Sequence, residues 1–109
     1  MKIENYSFGS FIVDGKEYKS DIKLVGNEIR LWHNHGLSLE DVRDVVDAKP
    51  STIIIGTGSI GVVNVSEEIV DFIKGKGIKL IVTRTAQACK LYNKLSKKEN
   101  IAAILHSTC

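Results

Sequence analysis

Residues 52–61 read Thr52-Ile53-Ile54-Ile55-Gly56-Thr57-Gly58-Ser59-Ile60-Gly61, an apolar strand that runs directly into a glycine-rich loop. Three successive isoleucines without polar alternation indicate a strand that is covered on both faces, as in a parallel or central position of a sheet. Because glycines follow at once, the chain turns sharply where the strand ends. We therefore expect a buried strand whose end opens onto a concavity, and we place the candidate binding site there.

The sequence after this loop alternates between helical and strand patterns. Ser66-Glu67-Glu68 has the capping residue and the acidic first turn of a helix start, and Ile78 to Thr83 is a second apolar strand. Thr85 is predicted to cap a third helix, and Ile101 to Leu105 is predicted as a last strand. A strand, a helix and a strand within about thirty residues form a βαβ unit, so the second half is predicted to be βαβαβ.

The sequence before the loop is predicted to be mainly β. Ser7 to Trp32 is typical of an antiparallel meander with one solvated face, in which Tyr18 to Val25 forms one strand with an irregular centre at Ser20-Asp21. Ser38 begins the first helix, which ends before Pro50 because the proline ring disfavours helical geometry at the preceding residue. The predicted fold class is α/β, with a β-rich first third packed against the βαβαβ half.

Length and composition predict one soluble domain over residues 1–109. Hydrophobic residues make up 43% and charged residues 26%, which is ordinary for a globular protein. The formal net charge of +2 is too small to indicate nucleic acid as a partner. No apolar run approaches the roughly 18 residues of a membrane helix, so we expect no membrane insertion. Two distant cysteines, Cys89 and Cys109, fit a reducing compartment, and we expect a cytoplasmic protein.

The glycines match the spacing G-x-G-x-x-G that binds the pyrophosphate of dinucleotides. Arg84 lies at the end of the next strand, where an enzyme that binds NADP would place a cation for the 2′-phosphate of that cofactor. Against this hypothesis, the helix cap Ser66 comes five residues after Gly61, and no acidic residue follows at the ribose-binding distance of about twenty residues. A small anion or polar ligand at the loop therefore remains as the ligand hypothesis, and no cofactor is predicted.

Other reactive side chains predict no catalytic or metal site. His33 and His35 would need a third metal ligand, and neither His106 nor the cysteines has diagnostic spacing. Cys89 lies near the start of a predicted helix, where a thiol can become nucleophilic, but its position on the inner face is typical of a small core residue. His106 is a base for Cys89 only if the last strand brings the two together. We expect no catalytic residues, and an enzyme is the less favoured class.

The candidate ligand-binding residues gather at the loop and on the third helix. Asn93 follows the predicted core residue Tyr92, and its amide would hydrogen-bond the loop backbone if that helix packs beside the loop. The predicted set is Gly56, Thr57, Gly58, Ser59, Thr85 and Asn93.

Several of these residues also follow the pattern of one small family. Ile55-Gly56-Thr57-Gly58 and Thr85-Ala86-x-Ala88-Cys89-x-x-Tyr92-Asn93-x-Leu95 are the most informative matches, and the others are Ser7-Phe8-Gly9, Gly15, Tyr18, Asp21 and Trp32. The chain resembles, over nearly its whole length, the family of stand-alone archaeal and bacterial proteins of unknown function that includes the adipogenesis-associated Mth-domain protein and mitochondrial complex I assembly factor three.

The resemblance implies a three-layer α/β domain of the Mth type, with a central mixed sheet, a smaller N-terminal antiparallel β layer and an antiparallel final strand. It brings no established catalytic residues, and it implies a role in binding or assembly. The first functional hypothesis is therefore a non-catalytic module that binds a protein client. The second is a small-molecule-binding or enzymatic domain that uses the loop, for which Gly58→Val would abolish ligand binding.

Overall fold

A computed structural model describes residues 1–32 and 36–109 of the chain. Within them, the elements are, in order, β1 (Ile3–Ser7), β2 (Ser10–Val13), β3 (Lys16–Tyr18), β4 (Asp21–Val25), β5 (Glu28–Trp32), α1 (Leu39–Asp47), β6 (Thr52–Gly56), α2 (Glu67–Gly75), β7 (Lys79–Thr83), α3 (Thr85–Leu95) and β8 (Ile101–Leu105). The strands form two sheets, one with the order β1-β2-β3 and the other with the order β5-β4-β8-β6-β7. The predicted βαβαβ half is confirmed.

The isoleucine strand β6 lies inside the larger sheet, between β7 and β8, and is parallel to both. All five of its residues are buried, as expected for a strand with no solvated face. The last strand, β8, is antiparallel to β4 but parallel to β6. The expected antiparallel final strand is therefore correct on one side only. The sheet is mixed because β4 runs against its two neighbours.

The β-rich first third is divided between the two sheets. The predicted single strand from Tyr18 to Val25 is wrong: β3 ends at Tyr18, and β4 begins at Asp21 in the other sheet. The irregular centre at Ser20-Asp21 is the passage between layers. A further strand, β1, precedes the predicted meander and pairs with β2 in antiparallel fashion.

Two hydrophobic clusters cover the two faces of the larger sheet. In one cluster, α1 and α2 pack against the side chains of Ile53, Ile55 and Ile104. In the other cluster, α3 and the small sheet pack against Ile54 and Leu105. Alternate isoleucines of β6 thus enter opposite clusters, which is what a period of two requires. The predicted three-layer α/β architecture is confirmed.

The predicted N-cap residues of α1 and α2, Ser38 and Ser66, are confirmed. The Asp41 carboxylate accepts hydrogen bonds from the Ser38 backbone N–H and hydroxyl at the start of α1. The Ser66 hydroxyl oxygen accepts from the Ile69 N–H at the start of α2. For α3 the prediction is wrong, because Arg84 is the N-cap and Thr85 is the first helical residue. In the part of the chain described, no helix is long and apolar enough to cross a membrane.

Candidate functional site

The glycine loop after β6 uses its first backbone amides inside the chain. The Thr57 N–H donates to the Thr83 carbonyl at 2.9 Å, and the Thr57 hydroxyl donates to the same oxygen at 3.1 Å. The Gly58 N–H donates to the Thr85 hydroxyl oxygen at 2.9 Å, and that hydroxyl donates to the His106 carbonyl at 2.7 Å. Thr85 is fully buried. Its hydroxyl therefore joins the loop to the residues that follow β8.

His106–Cys109, which we call the closing segment, lies along this loop. The His106 N–H donates to the Gly56 carbonyl at 3.0 Å. The Ser59 N–H donates to the Thr108 carbonyl at 2.7 Å, and the Val62 N–H donates to the Cys109 carbonyl at 2.9 Å. Carbonyl oxygens of the chain itself thus occupy amides that a bound anion would otherwise use.

Close packing explains why glycine is required at Gly56 and Gly58. Gly58 has a φ of +112°, and a Cβ added there would lie 2.2 Å from the Cys109 carbonyl carbon. A Cβ on Gly56 would lie 2.9 Å from Thr85 Oγ1 and 3.0 Å from a methyl group of Leu105. Gly58→Val would therefore disturb the closing segment whether or not a ligand binds, so it does not test the ligand hypothesis cleanly.

Two side chains from the N-terminal third hold the closing segment in place. The buried Asp21 carboxylate accepts from the Ser107 N–H at 2.7 Å and from the Ser107 hydroxyl at 2.9 Å. The Tyr6 hydroxyl donates to the Ser107 carbonyl at 3.0 Å. Burial is the main cause that raises the pKa of the Tyr6 phenol, and a hydrogen bond with the Ser59 side chain opposes it. Sequence reasoning did not find Tyr6, although its strand pairs with a predicted strand.

Asn93 lies at a different place from the other predicted residues. Its carbonyl oxygen accepts from the Ile3 N–H at 2.8 Å, and its amide nitrogen donates to the Ile3 carbonyl at 2.7 Å. Both ends of the side chain are thus engaged with β1, and Asn93 fastens β1 to α3. The structure brings together Gly56, Thr57, Gly58, Ser59 and Thr85, whereas the hydrogen bonds of Asn93 are made to β1 and not to the loop.

Two cysteines and His106 are the potentially reactive side chains considered in the sequence. Burial raises the pKa of the Cys89 thiol to about 12, so the thiolate is strongly disfavoured at neutral pH. Cys89 and Cys109 are both free thiols. His106 faces Asp21 through Nδ1 at 3.2 Å and Thr108 through Nε2 at 3.3 Å. Among the described residues, no group of three or more potential ligands is arranged for a metal ion. The predictions on His33 and His35 lie outside the described residues.

The outer side of the loop borders a groove that we call the β7 groove, lined by Ile60, Val63, Val65, Val70, Val82 and Arg84 with intervening polar residues. Its volume is about 580 Å³. Ile60 is 64% exposed, the adjacent Val62 is 62% exposed and Val82 is 45% exposed. A methyl group added to Gly61 would lie 3.6 Å from Arg84 Cγ, so this cation borders the loop from outside. Apolar side chains exposed together in this way mark interaction surfaces.

Known proteins resemble this chain over nearly its whole length. It is 27% identical over 108 residues to the Xenopus tropicalis protein named NADH dehydrogenase (ubiquinone) 1 alpha subcomplex assembly factor 3. That match covers 94% of this chain and 58% of the frog protein, so the chain spans little more than half of that relative.

Solved structures of other proteins share the fold. A conserved hypothetical protein of Pyrococcus horikoshii superposes with a TM-score of 0.91 and 28% identity, with both chains fully covered. A Mth938-like domain of Bordetella pertussis gives a TM-score of 0.81 at 14% identity, covering 97% of this chain and 85% of that one. The second likeness concerns the fold alone.

A family model also matches the sequence. The model described as "Protein of unknown function (DUF498/DUF598)" covers residues 3–106. Together with the assembly-factor relative and the Mth938-like structure, this match confirms the resemblance drawn from the glycine loop and from the α3 motif. The chain belongs to the DUF498/DUF598 family of proteins of unknown function.

Proposed function

We propose that this protein is a non-catalytic module that binds a partner protein, in the manner of an assembly factor, through the outer surface of its glycine loop. The observation that carries the proposal is the two-sided character of that loop. Its inner amides are bonded to Thr83, Thr85 and the closing segment, whereas Ile60 and Val62 point their apolar side chains outward. A loop built this way offers a surface for a protein more readily than a cradle for a phosphate.

The similarity to the frog assembly factor supports this proposal. That protein is named for assembly of NADH dehydrogenase, and this chain matches more than half of it. An assembly factor acts by association and needs no catalytic group. The raised pKa of the Cys89 thiol is consistent with such a role, because it leaves this buried thiol protonated.

Quantitative capture from the native host tests the proposal. Wild type, the double variant Ile60→Lys/Val62→Lys and the control Leu31→Lys would be affinity-purified under identical gentle conditions. Leu31 is 58% exposed and lies on β5, at the opposite edge of the larger sheet. We expect a discrete partner that wild type and Leu31→Lys retain equally and that the double variant loses at least about tenfold, since charges would be buried at the interface. Equal retention by all three would reject this surface.

The alternative proposal is a small anionic ligand at the same loop. Arg84 favours it, since this exposed cation lies beside Gly61. An anion would have to displace the Thr108 and Cys109 carbonyls from the Ser59 and Val62 amides. Titration with inorganic phosphate, followed through amide chemical shifts, distinguishes the two cases. Saturable shifts of the Ser59 and Val62 amides would support the anion site, and unchanged shifts would reject it.

A further inference from the structure

The outer edge of β7 has backbone groups directed away from the sheet. The Lys79 N–H donates to the Ser51 carbonyl, and the Thr83 carbonyl accepts from the Thr57 N–H. Both residues thus face β6, and backbone groups alternate in direction along a strand. Leu80 and Val82 therefore direct their N–H and carbonyl groups outward. Within the described residues, the sheet has no strand beyond β7.

The side chains along this edge suit an apolar segment. Val82 lines the β7 groove, beside Val65, which precedes α2, and Val70, which lies in α2. A strand added to β7 would lie alongside these valines and direct every second side chain to their face of the sheet. Exposed sheet edges are the usual templates for strand addition, and charges on them such as Lys79 and Arg84 restrict which strands can add.

The charges along this edge select the partner. Lys79 is exposed at the start of β7, and Arg84 is exposed just after its end. Arg84 carries the only charge among the groove residues, and the acidic residues Glu67 and Glu68 are not among them. A segment with an acidic side chain at each end would therefore be complementary to both ends of the strand.

A second copy of the chain fits this edge less well. Symmetric antiparallel pairing of two β7 strands about Ile81 would place Lys79 of one copy opposite Thr83 of the other, with Arg84 next to it. Lys79 of one copy and Arg84 of the other would be brought close together at each end of the pair, where two cations repel each other. The cations that attract an acidic segment thus oppose self-association.

We infer that the β7 edge binds, as an added strand, an extended segment of a partner protein with alternating apolar side chains and an acidic residue at each end. The inference rests on the proposed function and specifies the surface and the chemistry of the partner.

Amide chemical shifts measured during a peptide titration test this inference. The probe is the peptide acetyl-Glu-Val-Thr-Val-Thr-Glu-amide, and the same peptide with Lys at both ends is its charge-reversed control. We expect the acidic peptide to shift the Leu80 and Val82 amides saturably and to bind at least about fivefold more tightly than the basic one. Val82→Lys should weaken binding at least about fivefold, whereas Leu31→Lys should leave it unchanged, and the amide spectrum reports that each variant is folded.

Several outcomes would overturn the inference. Absence of saturable amide shifts up to millimolar peptide, or equal binding of the two peptides, would reject it. Amide shifts centred on β5 would also reject it. Shifts of β7 amides that follow protein concentration alone would assign the edge to a second copy of the chain.

The proposed function fails separately. A host partner retained equally by wild type and Val82→Lys would reject the β7 edge and leave the binding module standing, whereas wild type without any host partner would reject the module.

Discussion

The Thr85 hydroxyl connects the glycine loop, α3 and the closing segment. It accepts from the Gly58 N–H and donates to the His106 carbonyl, and the residue is fully buried. In such a place neither partner has water as a substitute, so the loss of the hydroxyl costs more than a typical exposed hydrogen bond. The sequence predicted Thr85 as the N-cap of α3, but that position belongs to Arg84 and Thr85 is the first residue of the helix.

Thr85→Val tests this connection. The change keeps the shape of the side chain but leaves the Gly58 N–H and the His106 carbonyl without their partner. We expect the free energy of unfolding to fall by about 2–4 kcal/mol. Chemical denaturation would measure it, with Thr85→Ser, which keeps the hydroxyl, as the control. A loss below about 1 kcal/mol for Thr85→Val would show that water enters and replaces the hydroxyl.

Cys89 offers a second test at the scale of one residue. Burial raises the pKa of its thiol to about 12, whereas Cys109 is exposed. Because alkylation requires an accessible thiolate, we expect iodoacetamide at about pH 8 to modify Cys109 and to spare Cys89 until the protein is unfolded. Peptide mass spectrometry would read both sites. Modification of Cys89 in the folded protein at the rate of Cys109 would restore the catalytic-cysteine hypothesis.

Secondary-structure elements were predictable wherever one local pattern determines them. The isoleucines of β6 indicated a parallel, doubly covered strand, and Ser66 correctly marked the start of α2. The passage of the chain between two sheets at Ser20 was not predictable, because β3 and β4 have the same pattern whether or not they pair. Asn93 shows the same limit, since a polar residue on a helix does not reveal which strand lies opposite.

Asn93→Ala tests how β1 is attached to the rest of the fold. Removal of the side chain breaks both hydrogen bonds with the Ile3 backbone, and we expect a stability loss of about 1–2 kcal/mol. Hydrogen exchange should quicken for amides of β1 more than for those of β6, because β1 is the element released. Lys94→Ala, at an exposed position of the same helix, is the control. Equal quickening in both strands would contradict a local attachment.

Helix α1 is attached to the larger sheet by a pH-dependent ion cluster. Asp44 of α1 accepts hydrogen bonds from Lys23 of β4 at 3.1 Å and from Arg30 of β5 at 2.6 Å. Burial by itself would raise the pKa of Asp44, but the hydrogen bonds from Arg30 and Lys23 outweigh it and hold the pKa below its ordinary value of 3.8. A carboxyl group whose pKa is lower in the folded state than in the unfolded state stabilises the fold. This stabilisation is fully present at pH values above the unfolded-state pKa, and it is lost as the pH falls through the folded-state pKa.

Asp44→Asn should therefore destabilise the protein in a pH-dependent manner. The change leaves the buried Lys23 ammonium without its carboxylate. Because Asp44 is 38% exposed and water screens the pair, we expect a loss of only about 1–2 kcal/mol near pH 7 that shrinks below about pH 4. Denaturation from pH 2.5 to 7 would measure it, with Glu40→Gln, in an exposed pair on the same helix, as the control. A loss independent of pH would show that charge is not the cause.

At the scale of the whole molecule, the organising feature is contact between distant parts of the chain. Asp21 and Ser107 are 86 positions apart, yet their hydrogen bonds hold the closing segment against the glycine loop. No local pattern indicates such a contact, so the concavity expected at the end of β6 did not take the closing segment into account. The family, by contrast, was recognisable from the glycine loop and the α3 motif. These residues form the junction of β6, α3 and β8, where few substitutions fit.

The same contacts separate the inner and outer sides of the loop. Inside, the Ser59 and Val62 amides bind carbonyls of the closing segment. Outside, Ile60 and Val62 meet solvent beside the edge of β7. The outer surface of the loop is therefore apolar with a basic margin, which is the observation behind the proposed protein association.

Native mass spectrometry of the gently purified wild-type protein from its own host tests this conclusion most directly. We expect a complex whose mass equals the chain plus a discrete partner protein, with no small molecule retained on the released chain. A chain that carries a stoichiometric small molecule and no protein would contradict the binding-module proposal. It would instead mean that the closing segment gives way to a ligand at the glycine loop.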